Sequence, residues 1–95
     1  MKTSDLVAYL DEFLNAGSFK DASLNGLQVM GREETFSLAV ACTASLNAIE
    51  AAANDGCDTL LVHHGLIWRG QQGPYAGSLK ERLQALFEAD LNLIA

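Results

Sequence analysis

Two short apolar runs, Phe36 to Cys42 and Asp58 to Val62, lie either side of an alanine-rich stretch one helix long, and that order restricts the fold more than any other feature of the chain. Each run is continuous in its apolar character, as expected of a strand buried on both faces of a sheet. A helix between two such strands makes a parallel βαβ crossover, and these crossovers are nearly always right-handed. Thr43 or Ser45 is expected to cap the helix, which should end near Gly56.

The flanking segments extend the same plan. Leu6, Leu10, Phe13 and Leu14 recur at helical spacing after Thr3 or Ser4 as N-cap, with Gly17 suited to the C′ position. Residues 18 to 35 are turn-rich, with Asn25-Gly26 marking a turn and Leu27 to Met30 a brief strand. A glycine-rich loop runs from Gly65 to Gly77 and holds the only Trp and the only Pro, Trp68 and Pro74. Ser78 and Glu81 are spaced as a capping box, and Leu79, Leu83, Leu86 and Phe87 form the buried stripe of the next helix. Leu91 to Ala95 begins a third parallel strand.

The expected fold class is therefore α/β: an open, mostly parallel sheet with flanking helices. A three-stranded parallel sheet leaves faces and edges uncovered. Residues 1–95 accordingly read as the N-terminal α/β portion of a larger subunit, truncated within the third strand.

Composition narrows the function classes. With 49% hydrophobic and 19% charged residues, the chain belongs with ordinary globular domains. No apolar run approaches the roughly 20 residues of a membrane span, and the N-terminus lacks the plan of a signal peptide. Cys42 and Cys57 are expected as buried free thiols, which fits a cytoplasmic protein. A formal charge of −6 with scattered basic residues argues against binding of nucleic acid, and no glycine-rich phosphate loop is present.

The chemistry concentrates at His63 and His64, the only two histidines, which follow directly on the second apolar run and precede Gly65. Ligands bind beyond the carboxyl ends of the strands in open α/β sheets, where loops diverge and helix N-termini point inward. A regular strand would send neighbouring side chains to opposite faces, but a turn at Gly65 can aim both imidazoles at one region. Imidazole favours Zn, Fe, Ni or Cu, and adjacent histidines suit two metals sharing a cavity. The plain structural alternative is one histidine in the core, bonded to a carbonyl, and the other in solvent. Asp21, Asn25, Thr43 and Ser45 are placed near the same rim, although turn formation and helix capping explain them. Trp68 and Tyr75 are candidates for a lid or for loop packing, and Lys80, Glu81 and Arg82 read as a solvated helix face.

Asn25-Gly-Leu-Gln-Val29, Thr43-Ala-Ser45, Val62-His-His-Gly65 with Trp68 shortly after, and Asp90-Leu-Asn-Leu93 follow one another in a familiar order and spacing. The chain resembles, over nearly its whole length, the dinuclear-metal-centre family of YbgI type, often labelled GTP cyclohydrolase 1 type 2 homologues. The resemblance implies a considerably longer α/β subunit that assembles as a toroidal hexamer around paired divalent metal ions, with Zn, Fe, Mn or Mg as candidates. It implies that His63 and His64 each contact one metal. The other ligands, an Asp just past the third strand and a His and a Glu near the C-terminus, would lie beyond Ala95. Cys42 stands where relatives carry Val and is given no ligand role. The implied activity is metal-dependent hydrolysis of a small molecule or nucleotide; a non-catalytic metal-carrying scaffold or interaction protein is the alternative.

Overall fold

The computed structural model of the chain describes residues 1–14, 24–68 and 73–95. In chain order the elements are α1 (Thr3–Phe13), β1 (Leu27–Val29), β2 (Leu38–Thr43), α2 (Leu46–Asn54), β3 (Thr59–His64), α3 (Gly77–Glu88) and β4 (Asn92–Ile94). β2, β3 and β4 run parallel, with Leu38 opposite Thr59 and Thr59 opposite Asn92. β1, the brief strand expected near Leu27, pairs antiparallel with β4, so the sheet order is β1-β4-β3-β2. The result is the expected α/β class: an open, mostly parallel sheet with helices beside it. Among the described residues no helix is long and apolar enough to cross a membrane.

The core lies between the sheet and the pair α2 and α3. Leu60 and Val62 of β3, Leu93 of β4 and Val29 of β1 meet Ile49 and Ala52 of α2 and Leu86 of α3, with Ala39 and Ala41 of β2 beside them. Strand alternation turns Leu38, Val40, Cys42, Leu61 and His63 to the other face. That face is covered in part by the start of α1, where Thr3 meets Asn92 of β4.

A buried polar cluster ties the amino-terminal segment to the sheet. Asn92 donates through Nδ2 to the Arg32 carbonyl at 2.9 Å and to Thr3 Oγ1 at 3.2 Å, and its Oδ1 accepts from the Gly31 amide at 2.6 Å. Thr3, Thr35 and Thr59 are linked hydroxyl to hydroxyl, and Asp58 Oδ2 accepts from the Phe36 and Ser37 amides. Among the described residues every buried side-chain polar atom has a partner. The cluster therefore orients its segments without the cost of a stranded polar group.

Several expectations are corrected. β2 is not buried on both faces: it is the outermost strand, covered by α2 on one side only, and Val40 is 73% exposed. Cys42, on that open face, is exposed and Cys57 is half-buried, so neither thiol is in the core. Neither Thr3 nor Ser4 caps α1: both lie within the helix, whose N-cap is Lys2, and the Thr3 hydroxyl serves the buried cluster. The Ser78 and Glu81 capping box does not form; α3 starts at Gly77, which carries Ser78 past the cap position. Phe13, Leu14 and Phe87 lie at core spacing but outside the contact zones of their helices, and all three are exposed. Arg82 is not purely solvated, since it donates to the Ala44 carbonyl at 3.4 Å. The expectations for Gly17 and Asp21 lie outside the described residues.

Candidate metal centre

β3 is an inner strand, flanked by β2 and β4, and His63 and His64 are its last two residues. The parallel register brings the carboxyl end of β2 alongside, with Thr43 opposite His64. The Ala44 amide donates to the His64 carbonyl at 2.9 Å, which ties the rim of the two strands together. Ser45 follows and accepts from the Ala48 amide at 3.1 Å, so it is the N-cap of α2, as one of the two sequence alternatives had it. The positive end of the α2 dipole consequently faces the same rim as the histidines.

Both histidines are exposed. Their ring centroids lie 4.3 Å apart and the ring planes are inclined by 56°. Neighbours on an extended strand ordinarily diverge, yet at the end of β3 the two rings approach each other. Neither ring is the core histidine of the plain alternative. Two accessible imidazoles at this spacing suit two metal ions, which share a site at about 3.5–4 Å in dinuclear enzymes.

Beyond these two residues the donor set thins out. Among the described residues no group of three or more His, Cys, Asp or Glu side chains is placed to hold one ion. Cys42 follows the β2 register to the same face as His63 without forming such a group. A cleft of about 550 Å³ opens between α3 and β1, lined by Gln28, Met30, Ile67, Tyr75, Lys80 and Phe87 among others, and neither histidine borders it. Tyr75 thus belongs to that cleft and not to the histidine rim.

One residue of the site, Gln28, stands within the Asn25 to Val29 motif but carried no assigned role there. The Gln28 side chain reaches from β1 to the turn after His64, where its Oε1 accepts from the Leu66 amide at 2.7 Å and the Ile67 amide at 3.1 Å. Its Nε2 donates to the Leu24 carbonyl at 2.7 Å and the Ile67 carbonyl at 3.1 Å. Gly65 is buried against this carboxamide, and a Cβ at position 65 would collide with it. The available signal was a lone Gln between Leu27 and Val29, which strand alternation explains equally well as an exposed position.

The profile of the family described as Duf34/NIF3 (NGG1p interacting factor 3) matches residues 1–95. The chain is 44% identical over 91 residues to a protein of Deinococcus radiodurans named GTP cyclohydrolase 1 type 2 homolog, covering 96% of this chain and 34% of that one. Among solved structures, protein ybgI, described as of unknown function, superposes with a TM-score of 0.93 at 35% identity, over 100% of this chain and 38% of that one. TTHA1606 from Thermus thermophilus gives a TM-score of 0.92 at 41% identity, over 100% and 39% respectively. The chain thus spans little more than a third of the length of the curated relatives it matches.

Proposed function

Because this chain belongs to the Duf34/NIF3 family, we propose that it supplies the histidine half of a dinuclear divalent-metal centre in a metal-dependent hydrolase acting on a small molecule or nucleotide. The observation that carries this reading is the pair of exposed imidazoles, 4.3 Å apart at the carboxyl end of an inner parallel strand. His63 and His64 would each give one ring nitrogen to one ion, with Zn, Fe, Mn or Mg as the candidates. Bound there, the ions supply Lewis acidity and a nucleophilic water near neutral pH, which is the chemistry of hydrolysis. The protein's own part is to hold the two rings at one rim, beside the α2 N-terminus, whose dipole favours an anionic substrate. The remaining donors would come from outside the described residues.

A second element of the reading, which follows from the family resemblance, is assembly with copies of itself as a ring-shaped hexamer in the cytoplasm. Val40 of the edge strand β2 and Phe36 just before it, 73% and 82% exposed, are apolar groups that further chain or a second copy would cover. A non-catalytic metal-carrying ring uses the same features and differs only in turnover. The test is hydrolysis of a panel of nucleotides, phosphoesters and cyclic amides by metal-loaded protein. The hydrolase reading expects saturable turnover that chelation abolishes and one preferred metal restores. Metal-loaded protein that turns over nothing in the panel would leave the carrier.

A further inference from the structure

The histidine end of β3 is restrained both by its neighbour β2 and by the turn that follows it. Toward β2, Thr43 pairs with His64 and the Ala44 amide binds the His64 carbonyl. Just after the histidines comes the turn Gly65 to Ile67, and Gln28 is a side chain that binds it.

We propose that Gln28 is the positioning residue of the histidine pair, locking the turn after His64 so that both imidazoles stay at one rim. The proposal rests on the reading of His63 and His64 as metal ligands. A carboxamide suits the task because it accepts and donates at once. Its oxygen takes the Leu66 and Ile67 amides while its nitrogen returns bonds to the Leu24 and Ile67 carbonyls. The Ile67 carbonyl is also bound by the Leu24 amide at 2.9 Å, so the far end of the turn keeps a restraint without Gln28. The Leu66 and Ile67 amides, two and three residues after His64, are the ones whose side-chain acceptor is Gln28. Gly65 completes the fit, because the carboxamide occupies the space in which any larger residue would place its Cβ. Partners of this kind, which orient ligands without touching the metal, typically change metal affinity about 10–100-fold when removed.

The test compares the complete protein, in which the remaining donors are present, with its Gln28→Met variant, which keeps the volume and removes the hydrogen bonds, and its Gln28→Glu variant, which keeps an acceptor for both amides. Two readouts are taken: binding of Co²⁺, followed by its visible absorption, and the ring-to-ring contact of His63 and His64 by NMR in metal-free protein. The Met variant should bind Co²⁺ about 10–100-fold more weakly, with an altered band shape and a lost ring contact, and the Glu variant should recover a large part of the affinity. A role in stability alone would lower the melting temperature of both variants and leave affinity, band shape and ring contact unchanged, which would overturn the proposal. If the unsubstituted chain takes up no Co²⁺, the metal reading falls by itself. The ring contact then decides for Gln28: lost in the Met variant, the positioning role stands; kept, it fails.

Discussion

Gly65→Ala is a one-carbon change whose cost follows from a single contact. The new Cβ would meet the Gln28 carboxamide, which cannot retreat without giving up the hydrogen bonds that hold it. Displacing it strips the Leu66 and Ile67 amides of their side-chain acceptor, and each part-buried amide left unpaired costs about 1–3 kcal/mol, less where water reaches it. Offsetting this, replacing Gly by Ala narrows the unfolded ensemble by about 0.4–1 kcal/mol. The net expectation is a loss of about 2–3 kcal/mol, a large share of the stability of a small domain. Gln28→Ala removes the same bonds and should cost about as much. The double variant should then be scarcely worse than either single one, a coupling of about 2 kcal/mol between the two positions. Urea unfolding followed by the fluorescence of Trp68, the only tryptophan, measures all four corners of the cycle. Losses that add to within about 0.5 kcal/mol would refute the reasoning, because independent sites add and a shared contact does not.

Three further outcomes are expected. Asn92→Leu keeps approximate volume but removes the acceptor of the Gly31 amide and the donor to the Arg32 carbonyl, and should cost about 3 kcal/mol in urea unfolding; under about 1 kcal/mol would mean the cluster orients segments without stabilising them. Ser45→Ala should cost about 1 kcal/mol through the lost cap on α2, with Ser45→Asp close to the original, measured the same way. Val40→Lys should change the unfolding free energy by under about 1 kcal/mol, because the side chain is exposed on an edge strand, and should weaken self-association in sedimentation experiments.

The crossover β2–α2–β3 was legible because it depends on local periodicity and chain order, which the sequence states directly. Ser45 was legible as one of two caps for the same reason, and so was the turn at Asn25-Gly26, where Gly26 has φ of 94°. Burial was less legible. Leu86 and Phe87 are equally apolar and adjacent on α3, yet the first is fully buried and the second 61% exposed, because only the partner element decides which side of a stripe is covered. Continuous apolar character likewise misled for β2, since an edge strand and an inner one differ in their neighbours and not in their own residues. At the site, the strand-end placement of the histidines was readable from Val62-His-His-Gly65. The role of Gln28 was not, because its partners lie up to 39 positions away. Local sequence carries no record of such a contact.

The central claim is that His63 and His64 bind metal as a pair. Its most direct test is the metal content per chain, by mass spectrometry, of protein purified without chelators, beside His63→Ala and His64→Ala. The account predicts bound divalent metal in the unsubstituted protein and a drop in each variant, as expected if each imidazole serves its own ion. Protein free of metal, or variants that retain the full content, would contradict it.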